Sequence, residues 1–148
     1  MIAHISTHLP CSEDELWEKI MDPKSLQFVA SPLLKFIPSG NSDFDSEWEL
    51  YRDYDLQLYF FGVIPLGGHR IRLVNIDRSE NKIESSESGR LARVWNHTIL
   101  FRQTGQKEVH YTDIIEIQAG LLTPFIWGFA HFFYRHRQKR WKRLFEQS

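Results

Sequence analysis

A disulfide within the chain is excluded, because Cys11 is its only cysteine; a reducing compartment is the expected setting. There is no Cys-x-x-Cys and no His-Glu-x-x-His. His4 and His8 would lie about 13 Å apart along a strand, so neither a metal nor another cofactor is expected. A Gly-x-Ser-x-Gly elbow is also missing, and LGGHR lacks the rest of a phosphate-binding loop. No run reaches the roughly 18 uncharged apolar residues of a spanning helix. The nearest, LLTPFIWGFAHFFY, is shorter and contains Pro and His. MIAHISTHLP has neither the basic start nor the apolar run of a signal peptide, so a cytoplasmic protein is expected. An excess of one charge is lacking too. The 18 Lys and Arg stand against 19 Asp and Glu, a net −1, which argues against a nucleic-acid partner.

What the chain has in quantity is aromatic side chain. Eleven Phe and five Trp can fill a large core or line an apolar pocket. With 148 residues the length suits one domain, 1–148, with a real core. IAHISTHL alternates and reads as a strand. In PCSEDELWEKIMD, Ser12 and Glu15 form a capping box at a helix start. PKSLQFVA reads as a second short helix and LLKFIP as a short strand. The period then becomes two: Trp48 to Val63 reads as one long strand with room for a bend or bulge around Arg52-Asp53, and IPLGG as a turn with two glycines free to take positive φ. HRIRLVNID, KIESSESG, ARVWNHTILFRQ and EVHYTDIIEIQA follow as strands with hairpin spacing. Thr123 is placed to cap, with Pro124 at the first position, a helix of about 24 residues and about 36 Å.

A strand, two short helices, a meander and one long helix make an α+β, helix-grip arrangement. A curved antiparallel sheet of about seven strands would wrap on the C-terminal helix. In this order, and in FFGVIPLGGHRI, VWNHTIL, YTDIIEI and FFYRHRQKRW, the sequence resembles the START-like superfamily. That superfamily, also called SRPBCC, includes polyketide cyclase/dehydrase-like proteins, and the stretches look like those of small bacterial members. The resemblance implies a cavity between sheet and helix that holds a small hydrophobic molecule. Leu73, Trp95, Ile99, Tyr111, Ile115, Phe125, Phe129 and Phe133 are its expected lining.

One residue of VWNHTILF breaks an otherwise apolar row. Trp95, Ile99 and Phe101 alternate as on a buried strand face, and His97 sits among them. Apolar matching pairs Trp95 with Ile115, Ile99 with Tyr111 and Phe101 with Val109, which sets His97 opposite Asp113. A slip of one residue would put the apolar sets on opposite faces. One strand back, Ile83 meets Ile99, Ser85 meets His97 and Glu87 meets Trp95. One further, Asn75 meets Ser85 and Leu73 meets Glu87. A polar row of Asn75, Ser85, His97 and Asp113, with Glu87 adjoining, would therefore cross the face under the helix. Buried polar groups cost roughly 1–3 kcal/mol each unless paired. Three readings follow: a structural network, a polar patch that orients a ligand, or an acid/base pair of His97 and Asp113 assisted by Glu87 or Tyr111.

The terminal helix divides. PFIWGFAHFFY is apolar nearly all round, with Phe125, Phe129, Phe132 and Phe133 expected toward the sheet and Trp127, Tyr134 and Trp141 away from it. RHRQKRWKR is basic and reads as a solvated end that favours a helix C-terminus. Its alternative is a docking surface for anionic membrane or a partner, a monomer or homodimer being open. Three functions thus stand: a carrier of a hydrophobic ligand, a cyclase/dehydrase-type enzyme, and a docking module.

Overall fold

The computed structural model describes residues 1–147. Strand β1 (Ile2–Leu9) is followed by α1 (Glu13–Ile20) and α2 (Pro23–Ala30), then β2 (Leu34–Pro38) and β3 (Asp53–Phe60). β4 (Ile64–Asp77), β5 (Lys82–Gly89), β6 (Val94–Gly105) and β7 (Glu108–Gln118) complete one antiparallel sheet. Its spatial order is β1-β7-β6-β5-β4-β3-β2. A 3₁₀ turn (Gly120–Leu122) leads into α3 (Thr123–Glu146), 24 residues long. This is the helix-grip, α+β arrangement expected. No helix among the described residues is long and apolar enough to cross a membrane.

The two short helices start where local chemistry directs. The Ser12 hydroxyl accepts from the Glu15 N–H at 3.2 Å, and Glu15 Oε1 accepts from the Ser12 N–H at 3.1 Å. At α2 the Asp22 carboxylate accepts from the Lys24 N–H at 2.9 Å, with Pro23 in the first turn. α3 starts differently from expectation. Leu122 is its cap, while the Thr123 hydroxyl accepts from the Ala119 N–H and donates to the Gly120 carbonyl.

The meander departs from the simple alternation in two places. Trp48 to Val63 is not one strand. β3 begins at Asp53, after Tyr51 takes a φ of 61° and Leu50 bridges to Leu73. IPLGG lies inside β4, and the reversal comes earlier, where Phe61 and Gly62 have φ of 52° and 75°. Gly67, at φ 93°, sits beside the register shift in the β3–β4 pairing. The glycines thus serve a bulge rather than a hairpin loop.

A second irregularity decides which residues share the inner face. Leu73 pairs with Ser85 and Ile71 with Glu87, but beyond a bulge at Val74 the pairs are Asn75–Glu84 and Ile76–Ile83. The extra residue flips parity. Asn75 therefore leaves the inner face, its Nδ2 donating to Glu84 at 3.3 Å. In the β6–β7 hairpin, Trp95 pairs with Ile117, His97 with Ile115, Ile99 with Asp113 and Phe101 with Tyr111. The expected register is off by two residues. A slip of two keeps every side chain on its face, so apolar matching could not detect it. Ile83–Ile99 and Ser85–His97 pair as expected, the ladder ends at that pair, and the Glu87 N–H instead donates to the Asn96 side chain at 3.4 Å.

On α3 the buried stripe is Ala130, Phe133, Tyr134, Arg137, Gln138, Trp141 and Phe145, spaced three and four apart as a helix face requires. Phe125 and Phe132 are 75% and 61% exposed. A first half apolar all round defines no face, so the face is set by the second half.

Gly89 of β5 lies directly against Gly68 and His69 of β4. A Cβ there would collide with the Gly68 carbonyl oxygen and press on the His69 backbone, neither of which can swing away. Gly89→Ala is expected to cost roughly 1–3 kcal/mol, as overpacking does, seen as a lower urea midpoint at unchanged slope. An unaltered midpoint would mean that the two strands separate freely there.

Candidate functional site

Between the inner sheet face and α3 lies a cavity of about 90 Å³. That exceeds the roughly 10–15 Å³ one water needs several-fold. Its wall is mostly apolar, with Phe36, Leu58, Ile71, Leu73, Trp95 and Ile99 among the contributors. His69, Ser85, Glu87, His97 and Arg137 give it polar ground, and Trp141 an indole N–H.

Two histidine–carboxylate pairs organise the polar groups. Asp113 is fully buried and receives three donors. His97 Nε2 lies 2.6 Å from Oδ1, the Tyr111 hydroxyl donates to Oδ1 at 2.9 Å, and Gln138 Nε2 donates to Oδ2 at 3.0 Å. His97 reaches Asp113 diagonally across the β6–β7 ladder rather than directly, a span such a ring can cover. Gln138 also donates to the Ile5 carbonyl at 2.9 Å, so α3, β1, β6 and β7 meet at one carboxylate. In the second pair His69 Nε2 lies 2.8 Å from Glu87 Oε1, and the Ser85 hydroxyl donates to Oε2. Trp95 lies between the pairs, its Nε1 donating to the Tyr134 hydroxyl at 2.9 Å.

Burial opposes ionisation of both carboxyls, yet both end below their ordinary pKa. For Asp113 the His97 hydrogen bond and the charges of His97 and Arg137 outweigh burial. For Glu87 the His69 hydrogen bond and the charges of His69 and His97 do so. Burial holds the Tyr111 hydroxyl well above its usual value, with Asp113 adding to the effect, so it remains a donor. Cys11 is buried away from this set, and burial followed by Glu15 pushes its thiol up to about 12. That removes it as a nucleophile near neutral pH.

Of the residues expected from the sequence to form the site, Leu73, Ser85, Glu87, Trp95, His97, Ile99 and Phe133 line the cavity. Tyr111, Asp113 and Ile115 are fully buried without contributing to its wall. Asp113 and Tyr111 support His97 from behind. Asn75 faces the other way for the reason given above. Phe125 is exposed, and Phe129 is half-buried against Phe60 and Phe133 at 6.5 and 5.9 Å between ring centres. His69, Tyr134, Arg137 and Trp141 were not expected there. His69 shares its parity with Ile71 and Leu73, the signal that singled out His97, but the adjoining glycines suggested a turn. Arg137 and Gln138 were hidden in a basic run read as solvated. Trp141, 2% exposed, lies under the sheet, and Trp127 is half-buried with its Nε1 donating to the Ile2 carbonyl at 2.8 Å. Membrane docking through the basic end needed both indoles outside. Arg140 is engaged as well, its Nε donating to the Phe28 carbonyl at 3.1 Å.

Because both carboxyls have folded pKa values below their unfolded ones, the native state binds fewer protons than the unfolded state at acidic pH. Their contribution to stability is complete above the unfolded values of roughly 4 and is lost as pH drops through the folded ones. Asp113→Asn and Glu87→Gln are each expected to flatten this acid limb in urea unfolding across pH. Asp113→Ala, which strands three donors, is expected to cost roughly 3–5 kcal/mol at neutral pH. An unchanged acid limb in both isosteric variants would contradict buried ionised carboxylates.

The same architecture occurs in solved structures of low sequence identity. A protein from Chromobacterium violaceum aligns at a TM-score of 0.74 and 12% identity, covering 97% of this chain and 95% of that one. A START superfamily protein from Mycobacterium smegmatis aligns at 0.70 and 13%, covering 99% and 97%. DynU16, a putative protein of the dynemicin biosynthetic locus, aligns at 0.64 and 11%, covering 98% of this chain and 47% of that one. No curated protein matches the chain. These similarities establish a START-like fold, and a family match over residues 7–145 establishes that the chain belongs to the family described as Domain of unknown function (DUF8410).

Proposed function

We propose that the protein binds a small amphipathic molecule in the cavity between the sheet and α3. The carrying observation is the wall's composition. Apolar side chains make up most of it, while His69, Ser85, Glu87, His97 and Arg137 bring polar groups to an otherwise apolar space. Ligand pockets have this make-up, a greasy enclosure with a few fixed polar groups that orient the guest. A core that needed only to be filled would gain nothing from burying this many charges, since apolar replacements are often as stable.

An acid/base enzyme of the cyclase/dehydrase type is the second reading. His97 lines the cavity and carries Asp113 behind it at 2.6 Å, an arrangement that fixes an imidazole's tautomer and orientation. Ligand binding is common to both readings and is therefore the one adopted.

Native mass spectrometry of freshly purified protein tests it. A species heavier than the bare chain by the mass of a small molecule, lost on denaturation, is expected. Ile99→Trp, which fills the cavity from the sheet side, is expected to abolish that species while leaving a cooperative unfolding transition. A bare mass, together with no binding of an apolar probe, would overturn the reading.

A further inference from the structure

Among the described residues, two polar groups on the cavity wall each keep a buried nitrogen without a hydrogen-bond partner, and they lie one helical turn apart. Arg137 is 7% exposed and lines the cavity, and its Nε has no hydrogen-bond partner. Its guanidinium carbon lies 4.9 Å from the ring centre of Tyr134 and 5.8 Å from that of Phe133. Those faces stabilise a cation but accept none of the fork's directional donors. Trp141, four residues on and so on the same helix face, lines the same cavity with a buried, unpartnered Nε1.

The nearby carboxylates do not answer this need. Glu87 has one oxygen on His69 and the other on Ser85. Asp113 has one oxygen shared by His97 and Tyr111 and the other on Gln138. Among the described residues, neither forms an ion pair with Arg137 within 4.0 Å, although both His–carboxylate pairs do. All four carboxylate oxygens are committed elsewhere. A buried guanidinium with an Nε–H left over in this way carries an uncompensated desolvation cost. A planar acceptor with two oxygens matches its fork far better than a single hydroxyl does.

We propose that the bound molecule is a carboxylic acid with an apolar tail, its carboxylate received by the Arg137 guanidinium and the Trp141 indole N–H. The tail would lie along Ile71, Leu73 and Ile99. This inference rests on the ligand-binding reading and narrows it to a chemical class. Glu87 and Asp113 repel such an anion less than bare carboxylates would, because their own donors already surround them.

Calorimetric titration with octanoate and with 1-octanol, a tail-matched neutral probe, separates the two levels. The native protein is expected to prefer octanoate by about tenfold or more, the worth of one charge-assisted hydrogen bond. Arg137→Met is expected to equalise the two probes by weakening octanoate alone. Trp141→Phe is expected to reduce the preference partially at unchanged octanol affinity. If Arg137→Met does not fold, Arg137→Lys, which keeps charge without the fork, takes its place and is expected to narrow the preference. Equal affinity of the native protein for both probes would overturn the carboxylate while leaving ligand binding intact. A preference that survives in both the Arg137 and the Trp141 variants would overturn the assignment to these residues. Failure of both probes to bind would remove the ligand-binding reading and this one with it.

Discussion

The carboxylate of Asp113 is the point on which this fold closes. It sits on β7 with no exposure, yet it joins His97 of β6, Tyr111 of its own strand and Gln138 of α3, and through Gln138 the carbonyl of Ile5 on β1. Hydrophobic burial would press a helix onto a sheet in many rotations. A buried anion that must find all its donors allows few, because a missing one costs its full desolvation. The rotation that satisfies Asp113 puts Tyr134, Arg137 and Trp141 inward and leaves Phe125 and Phe132 outside. The register of the cavity wall follows from a polar constraint, not from the distribution of phenylalanines.

That constraint also accounts for what could be seen in the sequence and what could not. β1, α1 and the span of α3 were legible because alternation marks the first, the Ser12–Glu15 capping box the second, and Pro124 the start of the third. The inner faces of β5, β6 and β7 were legible because alternation is unbroken. The face of His97 and Asp113, and their contact, could be anticipated, although the true contact is diagonal. Asn75 was misplaced because nothing in LVNID marks an extra residue at Val74. His69 was missed because the glycines that seat it, Gly67 and Gly68, look like a turn when read alone. Arg137 was taken for a solvated cation because composition reports a charge run and not the side of the helix on which each charge falls. In each case a long-range pairing decided the outcome.

Relatives of known structure share the architecture at identities of 11–13%, which transfers a fold and no chemistry. The functional reading therefore rests on this chain's own side chains. Two carboxylates with all oxygens occupied and one guanidinium whose Nε finds no acceptor among the described residues form an asymmetric set. Such asymmetry has little structural value, since a neutral core would be easier to pack and no less stable. It has value to a guest that supplies the missing acceptor.

The state of the two carboxyls is the premise beneath all of this, and carbon-13 NMR titration of the Asp113 and Glu87 carboxyl carbons measures it directly. Both are expected to remain ionised as pH falls below the ordinary 3.8 and 4.5, held there by His97 and His69. A midpoint above those values for either one would mean a neutral acid in the wall. The account of Asp113 as a buried anion that sets the rotation of α3 would then be contradicted.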